Sequence, residues 1–183
     1  MIVRGNEYAG LAELRQHKAA YVFYQGEQGI LSEQQVDQAA VATVSPAPPV
    51  QFSHSLRLEG FEVVNTKAKP DQAIILILYW RAQEKIDKDY TVFAHLLDKN
   101  GTIVASHDSQ PHRGAWPMTL WRAGDLVEDA IILPINSDVP PGSDYRIEAG
   151  LYYLPTMERL PFLDGNQGTG RDSVIFSSFT VER

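Results

Sequence analysis

His107-Asp108, followed by His112, is the set of side chains in this chain best suited to chemistry. Imidazole with carboxylate suits zinc or a similar divalent ion, and His95 lies one predicted strand away. The spacing matches no established metal motif, so the expectation is no metal and no cofactor. These residues then read as loop groups that hydrogen-bond locally. The same loop runs on through Arg113-Gly114-Ala115-Trp116-Pro117 to Trp121, and aromatic faces beside charged groups suit the stacking of sugar rings. Trp80, inside the apolar run Ala73 to Trp80, reads as core, and Trp121 as an anchor that holds the loop to the body. Trp116 reads equally well as an exposed platform or a packed residue. The candidate ligand-binding residues are therefore His107, Asp108, His112, Arg113, Trp116 and Trp121, with no catalytic residue among them.

Other constellations carry less. Asp108, Glu128 and Asp129 contain the carboxylates of a glycosidase pair, but that chemistry needs a set separation across a cleft. No Gly-x-Ser-x-Gly elbow gives meaning to a Ser/His/Asp triad. Asp98-Lys99-Asn100-Gly101 lacks the acidic positions of a calcium loop, and a hairpin turn explains every residue in it. Arg81, Arg146 and Arg159 stand in strand-like segments, where pairing with carboxylates such as Glu148 or Asp172 is expected.

The elements that position these groups are strands. Tyr90 to Leu97 alternates, the Asp98–Gly101 turn follows, and Thr102 to Ser106 returns. Phe52 to Val64 reads as one strand or a bent pair with Leu56, Leu58 and Phe61 inward. Further strands are predicted at 73–82, 126–135, 145–154, 159–162 and 173–181, separated by Gly/Pro/Asp turns. This order predicts an all-β fold, an antiparallel β-sandwich of jelly-roll or Ig-like type. Residues 1–49 differ. Leu11, Leu14, Lys18 and Tyr21 predict a helix over 9–25, and Ser32 to Gln35 has capping-box character. Ser45-Pro46-Ala47-Pro48-Pro49 is a stiff hinge. The expected division is a short N-terminal helical appendage with its hinge, 1–49, and a β-sandwich domain, 50–183.

Bulk properties narrow the classes. The 183 residues suffice for one well-cored domain, and the formal net charge of -7 argues against a nucleic-acid partner. With no cysteine, thiolate metal sites, disulfides and thiol nucleophiles are excluded. No window approaches the roughly 20 apolar residues of a membrane helix, and Met1 to Gly10 lacks a secretory apolar region.

Taken in order, Leu56-x-Leu58-x-Gly60-Phe61, Leu78 to Ala82, Asp89 to Asp98, Gly101 and Asp108-x-x-Pro111 form a series. Thr119-x-Trp121-x-x-Gly124-Asp125, Pro140-Pro141-Gly142, Gly150-Leu151-Tyr152 and Arg159-Leu160-Pro161 continue it. The series resembles the β-sandwich domain that follows the membrane spans in some bacterial GT-C glycosyltransferases of the dolichyl-phosphate-mannose type. The resemblance covers residues 50–183. That family's catalytic aspartates belong to its membrane part, so none is carried over. The resemblance implies a non-catalytic accessory module on the extracytoplasmic side, engaging glycan, lipid-linked sugar or a protein partner. As an independent chain without a signal peptide it would be cytoplasmic. The alternative is a structural or assembly module that packs on a partner or a second copy, and a sandwich-fold hydrolase comes third.

Overall fold

The computed structural model of the chain describes residues 2–3, 22–25, 30–33, 49–164 and 167–183. Its strands are β1 (Ile2–Val3), β2 (Val22–Gln25), β3 (Ile30–Glu33), β4 (Val50–Ser53), β5 (Leu56–Val63), β6 (Lys67–Ala68), β7 (Ala73–Ala82) and β8 (Thr91–Leu97). They continue as β9 (Ile103–Ser109), β10 (Leu126–Pro134), β11 (Gly142–Tyr153), β12 (Glu158–Arg159), β13 (Leu163–Asp164), β14 (Gln167–Gly168) and β15 (Ser173–Val181). One sheet has the order β1-β10-β7-β5-β4-β13-β14, and the second has β6-β15-β11-β8-β9 with β12 on β11. The two face each other across one apolar core. Among the described residues pairing is antiparallel except for the short parallel contact of β6 with β15. The molecule is an all-β sandwich.

Alternation builds the core. Ile74, Leu76, Leu78, Trp80 and Ala82 of β7 meet Val92, Ala94 and Leu96 of β8 and Ile147, Ala149 and Leu151 of β11. Each large apolar side chain buried this way contributes roughly 1.5–3 kcal/mol. Trp80 packs edge-on against Phe52, which meets Phe162 in the same manner, with ring centroids 5.6 and 4.8 Å apart. The run from Ala73 to Ala82 is apolar on both faces for a reason: Ile77 and Tyr79, which point away from this core, are buried too.

The hairpin forms as its turn chemistry requires. Asp98 accepts the backbone N–H groups of Asn100 and Thr102, each at 2.8 Å, and Gly101 takes the positive φ of 82°. These backbone bonds, that from Thr102 first, hold the Asp98 carboxyl below its ordinary range.

The predicted strand at 52–64 is a bent pair, β4 and β5, with a bulge between Leu58 and Gly60 that sets Glu59 beside Arg57 and Arg81. Most of the helix expected over 9–25 lies outside the described residues. Its last four residues do not: Val22–Gln25 is a strand paired with Ile30–Glu33. Val22, Phe23 and Tyr24 favour a pleated backbone over a helix end, and pairing overrides the helical spacing upstream. That pairing also takes Ser32 and Glu33 out of the expected helix cap. The chain start is not wholly separate from the sandwich, because β1 extends the first sheet beside Leu126 and Val127.

Register places the loop of interest. The start of β8 lies against the end of β11 and the end of β9, with Thr91 opposite Tyr152 and Val92 opposite Ser109. Residues 83–90, 110–125 and 154–157 therefore gather at one end of the sandwich.

Candidate functional site

Strand alternation separates the two residues that the sequence sets side by side. His107 lies opposite Ala94, on the core-facing side of β9, whereas Asp108 lies opposite Phe93 and faces outward. Two different groups of side chains result.

The outward group stands on β8, β9, β11 and β12. Asp108 accepts the Tyr152 hydroxyl at 3.1 Å, and its other oxygen lies 3.8 Å from His95 Nε2. The His95 Nδ1 is 3.2 Å from Glu148 Oε2, so the ring lies between two carboxylates. At 3.8 Å the Asp108 contact is electrostatic rather than a hydrogen bond. Phe93 stacks on the His95 ring with centroids 4.9 Å apart, and the Arg159 guanidinium covers Phe93 at 4.3 Å. Arg159 also reaches Asp172 at 3.4 Å. Phe93 can lie flat here because residue 150 has no side chain. A Cβ on Gly150 would stand 2.5 Å from both the Phe93 ring and the Asp172 carbonyl oxygen. Burial, with the Asp108 charge second, pushes the Tyr152 phenol up, so it remains a donor at neutral pH. His95 is buried, while the side chains of Asp108 and Arg159 are 41% and 39% exposed. The group thus offers solvent a fixed acceptor and a fixed fork of donors.

The inward group lies at the open edge between β9 and β10. The turn Pro111–Gly114 holds His112 and Arg113 at φ 52° and 56°, with Gly114 at 81°. Left-handed backbone costs a non-glycine residue roughly 1–2 kcal/mol, so the surroundings must hold this turn. They do so at Asp129, whose Oδ1 accepts the His112 backbone N–H at 3.0 Å. A further hydrogen bond joins His112 to the Glu128 backbone. Asp129 is only 2% exposed, and burial pushes its carboxyl up to about 6. Neither Asp129 Oδ2 nor His112 Nε2 has a hydrogen-bond partner among the described protein groups. Burial lowers both His107 and His112, and the Arg113 charge adds to the effect at His107.

Trp121 is buried, and its Nε1 donates to the Trp116 carbonyl at 3.2 Å. Trp116 is half-buried against the core, so its ring is not a free platform. The Met118–Leu120 turn is tied down by the Thr119 N–H, which donates to Asp89 Oδ1 at 2.8 Å. Of the six residues selected by sequence, His107, His112 and Arg113 come together, Trp116 and Trp121 form the anchor, and Asp108 faces elsewhere.

A third group escaped sequence reasoning. On the outer face of the first sheet the Tyr79 hydroxyl donates to Glu62 Oε1 at 2.8 Å, and both residues are buried. Glu128 shares this face; burial raises its carboxyl, the charge of the N-terminus offsets part of that, and repulsion from Glu62 adds a smaller rise. The only trace in the sequence was an acid inside a strand apolar on either side. Likewise His95 was legible only as a distant addition to the loop, since Glu148, Tyr152 and Arg159 join it through cross-strand register. The carboxylates considered as a hydrolytic pair do not meet: Asp108 faces outward on the second sheet, Asp129 faces the core and Glu128 the opposite side of the first. Among the described residues no three His, Asp or Glu side chains converge in a way that would hold a metal ion. No helix among them is long and apolar enough to cross a membrane. No family model matches the chain, and no curated protein is significantly similar to it.

Proposed function

We propose that this chain is a non-catalytic accessory β-sandwich that binds glycan or lipid-linked sugar on the outer face of its second sheet, in the manner implied by its resemblance to the tail domain of a membrane glycosyltransferase. One observation carries the reading: the group of Asp108, His95, Glu148, Tyr152 and Arg159, in which Tyr152 donates to Asp108, His95 meets Glu148, and Arg159 lies over the Phe93 ring that stacks on His95, open to solvent at Asp108 and Arg159. Planar carboxylate and guanidinium groups pair with adjacent sugar hydroxyls, and groups already immobilised lose little entropy on binding. In this reading Asp108 on β9 is the contact residue, and Trp116 and Trp121 anchor the loop that follows to the core. The test is a screen of neutral and acidic oligosaccharides by calorimetry, with Asp108→Ala and Trp116→Ala as paired variants. Binding lost in the first and retained in the second supports this surface. Binding lost only in the second returns the site to the loop.

An assembly role is the second reading, favoured by β9. This seven-residue strand ends the order of the second sheet and carries an exposed Ile103. Such an edge pairs readily with another strand. Sedimentation across a concentration series separates the two readings, since a monomer at all concentrations is incompatible with self-pairing along β9.

A further inference from the structure

We propose that the end of the sandwich formed by residues 83–90, 110–125 and 154–157 docks on the surface of a phospholipid bilayer, where Leu120, Leu154 and Met157 enter the boundary between headgroups and acyl chains. The inference does not depend on the glycan reading. Among the described residues five large apolar side chains stand exposed, and these three lie at this one end, 56%, 54% and 66% exposed. Contacts bring their turns together. The Thr119 N–H donates to Asp89 Oδ1 at 2.8 Å, which ties the turn bearing Leu120 to the residue before Tyr90. The Tyr90 ring meets that of Tyr153 with centroids 6.2 Å apart, and Tyr153 leads directly into the 154–157 turn. The Thr156 and Met157 N–H groups donate back to the Tyr153 carbonyl. Met157 holds a φ of 57°, where glycine would be free of strain, so the turn presents an exposed thioether side chain at a conformational cost.

The surroundings of these side chains favour a bilayer over a protein partner. All three stand on turns at the end of the strands, not on a strand edge where a second copy would pair. Behind them Tyr90 and Tyr153 are half-buried, and the Lys88 ammonium lies 4.8 Å over the Tyr153 ring. Phenols and a long cationic stem behind an aliphatic tip suit the headgroup level, where one end of each side chain is apolar and the other wet. Charge agrees with this. The three segments hold four cations and four acids, a net charge of zero where the chain carries -7. Two of those acids are engaged within the fold: Asp89 by the Thr119 N–H, and buried Asp125 by the Arg122 N–H at 2.9 Å. A third, Asp87, meets Lys85 at 3.5 Å. The exposed side chains of Lys88 and Arg122 meet no carboxylate among the described residues, so both are open to lipid phosphate.

Co-sedimentation of the full chain with sugar-free vesicles, equal parts phosphatidylcholine and phosphatidylglycerol, tests the docking. The wild type should bind, and each apolar side chain removed should weaken binding roughly tenfold. The triple variant Leu120→Ser/Leu154→Ser/Met157→Asn should therefore abolish it. Asparagine is chosen at 157 because it tolerates left-handed backbone. Ile103→Ser, at the opposite end of the β8–β9 hairpin, should bind as the wild type does. Lys88→Gln/Arg122→Gln should weaken binding severalfold. The chain has no cysteine, so a polarity-sensitive dye on Met157→Cys or on Ile103→Cys reports which end meets the lipid, even if the triple variant fails to fold. Emission should move to the blue for Met157→Cys only. A wild type that stays in solution overturns the proposal, as does a triple variant that sediments with vesicles like the wild type, or a dye that shifts equally on Ile103→Cys. An oligomer that the triple variant dissolves, with no vesicle binding by the wild type, overturns it too and assigns the patch to a second copy.

Discussion

Asp129→Asn should change the pH dependence of global stability by an amount the structure sets. The wild-type carboxyl moves from 3.8 in the unfolded chain to about 6 in the fold because it is buried. A folded value above the unfolded one means a contribution fully present below pH 3.8 and lost as pH rises through 6. The rise is about two pH units at roughly 1.4 kcal/mol each, or about 3 kcal/mol in total. Asparagine keeps an oxygen for the His112 N–H but cannot ionise. It also brings an NH2 group into a buried site, a fixed cost of about 1–3 kcal/mol independent of pH. The informative quantity is therefore the difference between variant and wild type as pH changes, from which that offset and the common histidine contributions cancel. Urea unfolding followed by tryptophan fluorescence at about pH 4.5, 6 and 8 measures it. The variant should gain about 2 kcal/mol on the wild type from the lowest to the highest pH, with most of the gain before pH 7. A difference constant to within about 0.5 kcal/mol would refute the burial argument.

Other consequences follow from single contacts. Gly150→Ala forces Cβ into the Phe93 ring and the Asp172 carbonyl, so it should destabilise by about 1–3 kcal/mol in thermal unfolding. Trp121→Ala removes a fully packed anchor and should cost about 3–5 kcal/mol, with Trp116→Ala costing clearly less; urea midpoints of the two variants check the order. Arg159→Ala uncovers Phe93 and should weaken oligosaccharide binding about as much as Asp108→Ala while leaving the fold intact, as circular dichroism and calorimetry would show.

Local chemistry made the strands legible. Ala73–Ala82 and Ser173–Val181 have the predicted bounds, and Asp98 and Gly101 mark the hairpin because each has a conformational role there. Arg81 and Arg159 pair with carboxylates as expected, Arg159 with the predicted Asp172. Glu148, however, meets His95 rather than an arginine. The site was far less legible. Asp108 and His107 are neighbours in sequence but face opposite ways, a consequence of alternation that only register fixes. Asp108, His95, Glu148, Tyr152 and Arg159 come from four strands, and which of them meet depends on pairings of β8 with β9 and β11 and of β11 with β12. The strain at His112 was invisible because neither His nor Arg signals left-handed backbone as glycine does.

The most direct test of the binding surface is an amide-resonance titration of the chain with an oligosaccharide that the screen retains. Shifts should concentrate at Phe93, His95, Asp108, Tyr152 and Arg159 and disappear in Asp108→Ala. Shifts confined to the 111–121 loop or to the first sheet, or unchanged in Asp108→Ala, would contradict the assignment of ligand binding to the outer face of the second sheet.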